Sequence, residues 1–401
     1  FNLKLLHIIE TLSKKRKEKV FLVGGIVRDF LLGINNKDID IVVEGNGIEF
    51  AKDLKKLIKA DNIRIHEKFK TAVLTINNEF KLDIASSRIE YYECPGCLPI
   101  VYSSDIKADM YRRDFTINAM AFEIDNQNFG KLIDFYNGYQ DLKERKIRIL
   151  HNLSFVDDPT RIIRAIRFAS RYNFDLEENT EFLLINAINK NLLSKISWDR
   201  LKQEFKILFS DKNIEKSIEF LDKYNILKEI HPNIVYNLKI RENIIKLQSH
   251  EYLLKNNKVK KWILVLLIIS ENLKKEELIF VLKKFDFSKK FISKFSYETT
   301  KKESILKKLM TSTKNSEIYS TLEGVSIEFI ILIYIQTNEN KIMEKIEKYL
   351  YKLSKSKPLI TGKDLIELGI TPGKEFKKKL DEYFMKQLDL ELPTKNKLLK
   401  G

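Results

Sequence analysis

The sequence predicts an α+β head followed by an all-α remainder, and the placement of glycine and of β-branched runs carries that reading. Eight of the 13 glycines lie at or before Gly138, and none lies between Gly138 and Gly324. Inside that gap, past Pro159, the only proline is Pro232. A stretch without glycine, rich in Leu, Ile, Lys and Glu, reads as helical. The front of the chain differs. Segments 21–23, 39–43, 72–76 and 80–84 are short, β-branched and bounded by turn residues, as strands are. Strands mixed with helices, then helices only, define the class, with the boundary near Leu150.

The chain has 401 residues, 44% of them hydrophobic, enough for more than one unit with a sizeable core and too many for wholesale disorder. Lys and Arg number 72 against 56 Asp and Glu, a net charge of +16. Such an excess points to a polyanion, nucleic acid ahead of anionic lipid, with a Lys-rich solvated surface as the plain alternative. Two cysteines exclude a disulfide scaffold and fit a reducing, cytoplasmic setting. The longest apolar run, 262–269, is too short for a membrane span, and no signal peptide opens the chain.

The sharpest signal is residues 21–45, FLVGGIVRDFLLGINNKDIDIVVEG. An apolar strand runs into Gly24 and Gly25, and Val27, Arg28 and Asp29 open a helix. Paired glycines let the backbone approach a phosphate, to which a helix N-terminus offers free N–H groups. Asp38 and Asp40, one residue apart on an expected strand, leave the same face. Two such carboxylates can share Mg²⁺, as phosphoryl transfer requires. The string is not G-x-G-x-x-G, which argues against a dinucleotide-binding fold.

GG-x-VRD-x-L-x-G followed by D-x-D resembles the active-site signature of polymerase-β-type nucleotidyltransferases, and more narrowly the class II tRNA nucleotidyltransferase (CCA-adding) and bacterial poly(A) polymerase family. Later blocks agree in order: RRDFTINA from Arg112, LIDFYNG from Leu132, FVDDPTR from Phe155 into Arg164 and Arg167, and ISWDR from Ile196. TGKDL from Thr361 and GITPG from Gly369 are similar to the tail of some members. The resemblance implies a catalytic head (1–150) with a mixed sheet, a nucleotide-selecting neck (151–210), a helical body (211–320) and a helical tail (321–401). Its implied partners are CTP, ATP and the acceptor and TΨC arms of tRNA, and its implied cofactor is Mg²⁺.

The residues support those roles on their own chemistry. Arg112 and Arg113 supply cationic forks for triphosphate oxygens. Asp114 can accept from a ribose hydroxyl, and Asn118 can donate to phosphate. Asp83, at another expected strand end, is a candidate third carboxylate, as metal ligand or as base for the RNA 3′-hydroxyl. Asp158 and Arg161, three apart in the expected first turn of a helix, put an acceptor beside a donor. Cytosine and adenine each present an amino donor beside a ring-nitrogen acceptor and match that pair. Uracil and guanine present the reverse and clash. The alternative is a helix cap with an ordinary ion pair. Asp157 stands where relatives usually have Glu, and is the expected brace for Arg161. Arg164, Arg167 and Arg171 continue the helix at helical spacing as contacts for triphosphate or acceptor stem, or as a solvated face.

Residues 205–350 show helical periodicity without catalytic motifs. Near the tail glycines, Lys363, Lys374, Lys377 and Lys378 are candidates for tRNA phosphates. Lys70 departs from the glycine frequent in relatives. Cys94-Pro95-Gly96-Cys97 lacks further ligands for zinc and the context of a redox motif, and reads as incidental to a mobile loop at 91–109. The function expected is addition of all or part of the 3′ CCA end of tRNA, with CC-only, A-only and poly(A) variants as alternatives. A non-catalytic RNA-binding protein would not need Asp38, Asp40, Arg113 and Asp158 together.

Overall fold

A computed structural model describes residues 3–36, 38–77, 80–124, 128–367 and 369–391. The chain divides into two compact units, Phe1–Tyr224 and Asn225–Gly401. The first opens with α1 (Leu3–Arg16), β1 (Lys19–Val23), α2 (Gly25–Leu31), β2 (Ile39–Glu44) and α3 (Gly47–Ile58). Next come β3 (Asn62–His66), β4 (Thr71–Ile76), β5 (Phe80–Ser86), the hairpin β6 (Arg88–Tyr91) and β7 (Ile100–Ser103), and α4 (Ile106–Tyr111). Then follow β8 (Met120–Glu123), β9 (Leu132–Asp134), α5 (Gly138–Glu144), β10 (Lys146–Ile147), α6 (Ser154–Asp157) and α7 (Thr160–Tyr172). The unit ends with β11 (Asp175–Leu176), α8 (Glu178–Asn189), α9 (Trp198–Leu208) and α10 (Ile214–Lys223).

The main sheet is mixed, in the order β3-β4-β5-β2-β1-β8-β9. Only β2 and β5 pair in parallel, and α3, β3 and β4 form the crossover between them. Central β1 is apolar throughout its buried residues Val20 to Val23, as a strand covered on both faces must be. Its Phe21 and Val23 pack with Val42, Ile106, Met110, Ala119 and Ala121. Asn46 caps α3 by accepting from the Glu49 amide at 3.2 Å, and Asp105 caps α4 by accepting from Ala108 at 2.8 Å.

The expected strands correspond to β1, β2, β4 and β5. Corrections lie at the edges. Asp38 precedes β2 instead of lying in it. A short parallel pair, β10 with β11, interrupts the stretch read as purely helical. Asp158 is not in a helical turn: α7 begins at Thr160, with Pro159 at its cap. The residue before proline is pushed to extended geometry, and Asp158 has φ −134° and ψ 94°. Its carboxylate instead caps the start of α7, accepting from the Thr160 amide at 3.1 Å and hydroxyl at 2.7 Å.

The second unit is helical, from Leu238–Ser249 to Lys374–Leu390. Its most apolar helices, Lys261–Ile269 and Ile327–Gln336, are core elements with residues 264–269 and 329–335 buried. Near the end, Ile360 and Leu365 pack with Phe376 and Leu380. Among the described residues no single helix is long and apolar enough to cross a membrane.

Candidate active site

A cleft of about 650 Å³ in the first unit gathers the sequence-predicted residues. Asp40 on β2 stands in register with Asp83 on parallel β5, and Asp38 lines the same cleft. Burial, reinforced by the charges of Asp83 and Asp38, pushes the Asp40 carboxyl up to about 6, although Arg113 pulls the other way. Burial and Asp38 also raise Asp83.

Gly24 turns from β1 into α2 with φ +73°, and a Cβ there would lie 2.8 Å from Arg113 Nη1 and 3.8 Å from Asp40 Oδ2. The glycine therefore admits a guanidinium beside the carboxylates. Gly25, Arg28 and Asp29 also line the cleft, but the last two are committed internally. Buried Arg28 donates to Asp29 Oδ1 at 2.9 Å and to Asn118 Oδ1, and lies over the rings of Phe168 and Tyr172. Asp29 accepts further from Asn36 at 2.7 Å and the Tyr172 hydroxyl at 2.8 Å.

The two arginines of RRD diverge. Arg112 lines the cleft, and it donates to Asp109 Oδ1 (3.0 and 2.8 Å) and Glu90 Oε1 (2.9 Å), so its fork is engaged by protein carboxylates. Arg113 donates to Asp109 Oδ2 at 3.0 Å, and its Nη1 borders Gly24 as Asp40 Oδ2 does, its charge acting on that carboxyl. Asp114 is occupied as well: it accepts from the Phe115 amide and Asn118 Nδ2, both at 2.9 Å, and from Arg164 Nε at 3.0 Å. Burial alone would raise Asp114, but Arg164 and Asn118 hold it well below the carboxylate range. The expected ribose acceptor and phosphate donor thus bond to each other.

Arg161 is buried and held by a different brace from the one expected. It donates to Ser154 Oγ and to the Arg112 carbonyl oxygen, each at 2.7 Å, and not to Asp157. Asp157 does not line the cleft; its side chain lies 3.9 Å from His151. Asp158 uses Oδ1 for Thr160 and for Arg200 at 2.9 Å, and both Asp158 and Arg161 line the cleft. Arg164 pairs with Asp114, and Arg167 lies 3.4 Å from Glu204. Arg171 lines the rim, exposed.

The Cys94–Cys97 pair forms a disulfide, where the sequence pattern suggested incidental cysteines. Between them Gly96, φ +75°, donates to the Asp157 carbonyl at 3.3 Å and accepts from Arg200 at 2.7 Å. Arg200 of the ISWDR block thus bridges this loop and Asp158. Lys363, Lys377 and Lys378 are exposed in the second unit, and the Lys374 side chain lies outside the described residues.

Sequence reasoning missed Asp109, Glu90, Ser154 and Glu204. Asp109 carries a local signal, standing three and four residues before Arg112 and Arg113. Glu90 and Ser154 carry none, because their partners are set by tertiary packing.

A sheet bearing in-register carboxylates beside a glycine turn, with a guanidinium-lined helix across the cleft, defines a nucleotidyltransferase of the polymerase type. Comparison with known proteins agrees. Residues 20–148 match the poly A polymerase head domain, and residues 173–238 match the probable RNA and SrmB-binding site of polymerase A. An A-adding tRNA nucleotidyltransferase of Geobacter sulfurreducens is 36% identical over 94% of this chain, which spans 44% of that relative's length. One from Halalkalibacterium halodurans is 30% identical, covering 99% of this chain and 91% of its own. A CCA-adding enzyme solved in an apo form has a TM-score of 0.82 at 36% identity, covering 100% of this chain and 95% of that one. The Thermotoga maritima CCA-adding enzyme, solved with tRNA, has a TM-score of 0.77 at 35% identity over 99% and 94%. The chain belongs to the tRNA nucleotidyltransferase family.

Proposed function

We propose that this chain adds the 3′ CCA end of tRNA, or part of it, without a template, joining CTP or ATP to the RNA 3′-hydroxyl and releasing pyrophosphate. The observation that carries the reading is one cleft holding Asp38, Asp40 and Asp83 together with Asp158 and Arg161. Residues 1–150 would be the catalytic head, 151–210 the selecting neck, 211–320 the body and 321–401 the tail.

The donor set fits Mg²⁺: hard carboxylate oxygens in one cleft, with Asp40 pushed up to about 6 by burial and, less, by Asp83 and Asp38, a cost a bound cation would relieve. Among the described residues no three acidic, His or Cys side chains close into a cage. Asp38 and Asp40 would hold the ion, with phosphate oxygens of the nucleotide completing its shell. Bound there, Mg²⁺ supplies charge neutralisation at the phosphates. Asp83, raised by burial and by Asp38, would accept the proton of the attacking hydroxyl. Arg113 grips the triphosphate. Asp158 Oδ2 accepts from the amino group of C or A while Arg161 donates to the adjacent ring nitrogen. Arg171, Lys363, Lys374, Lys377 and Lys378 contact tRNA phosphates.

A second reading, addition of A alone, is favoured by the relatives named A-adding that match 94% and 99% of this chain. Supplying the purified chain with tRNA trimmed to the discriminator base, and separately with tRNA ending in CC, separates the readings. Extension of the first by CTP supports CCA or CC addition. Extension only of the second, by ATP, supports A addition. No extension of either contradicts both.

A further inference from the structure

We propose that Asp109 is a positioning residue for nucleotide binding: a buried counter-ion that keeps the Arg113 guanidinium on the triphosphate and off Asp40. The inference rests on the nucleotidyl-transfer reading and adds to it a residue outside the cleft lining.

Asp109 is 0% exposed on α4. Both its oxygens are used: Oδ1 accepts from Arg112 and from the Arg88 amide at 3.2 Å, and Oδ2 accepts from Arg113 Nη2 at 3.0 Å. Arg113 has little else to fix it. Its Nε is buried without a hydrogen-bond partner, and its Nη1 reaches only the Asn118 carbonyl, at 3.5 Å. That Nη1 lies against Gly24, on the side where Asp40 stands. A guanidinium released from Asp109 has the Asp40 carboxylate on its Gly24 side, open to pair with it. A pair formed there would occupy an oxygen needed for the metal and withdraw a cation from the phosphates. The same carboxylate fixes Arg112, whose carbonyl oxygen receives Arg161, so Asp109 steadies the triphosphate and base sides of the cleft together.

The test uses the full chain, CC-ended tRNA and ATP. D109N keeps the shape and removes the charge; D109E keeps the charge and displaces it by one methylene. Both are expected to raise KM for ATP by about 10–100-fold, the loss of a charged hydrogen bond, with KM for tRNA changed less than about threefold. D109N is expected to lower Tm and D109E to restore most of it without restoring KM for ATP, which keeps the test open if D109N folds poorly. In an Arg113→Ala background, adding Asp109→Asn should raise KM for ATP by a clearly smaller factor than it does alone, the remainder being the part carried through Arg112. An unchanged KM for ATP in folded D109E, equal rises for ATP and tRNA, or full additivity with Arg113→Ala would overturn the proposal. A wild-type chain that transfers no nucleotide would instead overturn the functional reading itself.

Discussion

The Arg161 guanidinium donates to the backbone carbonyl oxygen of Arg112 at 2.7 Å, tying α7 to the RRDFTINA block across the cleft. Its other anchor is Ser154 Oγ, also at 2.7 Å. Ser154→Ala should loosen Arg161 on one side only. About 1 kcal/mol of lost hydrogen bonding predicts a roughly fivefold fall in kcat/KM preference for ATP over UTP, with the preference for tRNA unaffected. Competing-nucleotide assays would show it, and an unchanged preference would remove Ser154 from selection.

The proposed metal role of Asp40 carries a pH dependence. Its carboxyl, raised to about 6 chiefly by burial, would have to be ionised to hold a cation, so activity should fall as pH drops through about 6. More Mg²⁺ should move that limb to lower pH, because the ion competes with the proton. His151 does not supply the limb: burial and Arg161 lower it to about 4, so it is neutral there. A His151→Gln variant that lost the limb would contradict the assignment.

The same shift makes Asp40 a cost to folding. Its folded pKa lies above the unfolded value of 3.8, so the ionised form destabilises the chain above about pH 6, and the cost disappears below about pH 4. At about 1.4 kcal/mol per unit, Asp40→Asn should stabilise the metal-free chain by up to about 3 kcal/mol at neutral pH while abolishing transfer. Thermal melts in chelator at pH 7.5 and pH 4 test the sign. A lower Tm in the variant at pH 7.5 would refute the strain.

Much of this site was legible because its chemistry is local in sequence. Gly24 must be glycine beside β1, and Asp38 and Asp40 are one residue apart. The partners were not legible. Arg112 reads as a phosphate fork, yet Glu90, 22 residues away, fills it. Asp157 reads as the brace for Arg161, yet Ser154 and a main-chain oxygen do that work. Asp158 reads as a first-turn residue, but Pro159 forces it out of the helix into a cap. Strand β8 was hidden because residues of the RRDFTINA block lead straight into it.

The excess of positive charge predicts a steep salt dependence for tRNA. Each phosphate neutralised adds roughly −0.7 to −0.9 to the slope of log affinity against log salt. Neutralising Lys377 and Lys378 together should weaken binding and flatten that slope by up to about 2, with KM for ATP unchanged. A slope near zero for the wild type would mean that the +16 charge is not used for RNA.

Asp158 tests the central claim, that two side chains replace a template. Asp158→Ala removes the carboxylate proposed to pair with C and A and to repel the carbonyl edge of U. The measurement is relative incorporation of CTP, ATP, UTP and GTP on trimmed tRNA. The account predicts that incorporation of each cognate nucleotide falls by roughly 10–100-fold while UTP falls far less, so the preference over U collapses. An equal fractional loss for all four nucleotides would mean that Asp158 only caps Thr160 and pairs with Arg200, and that the base is chosen elsewhere.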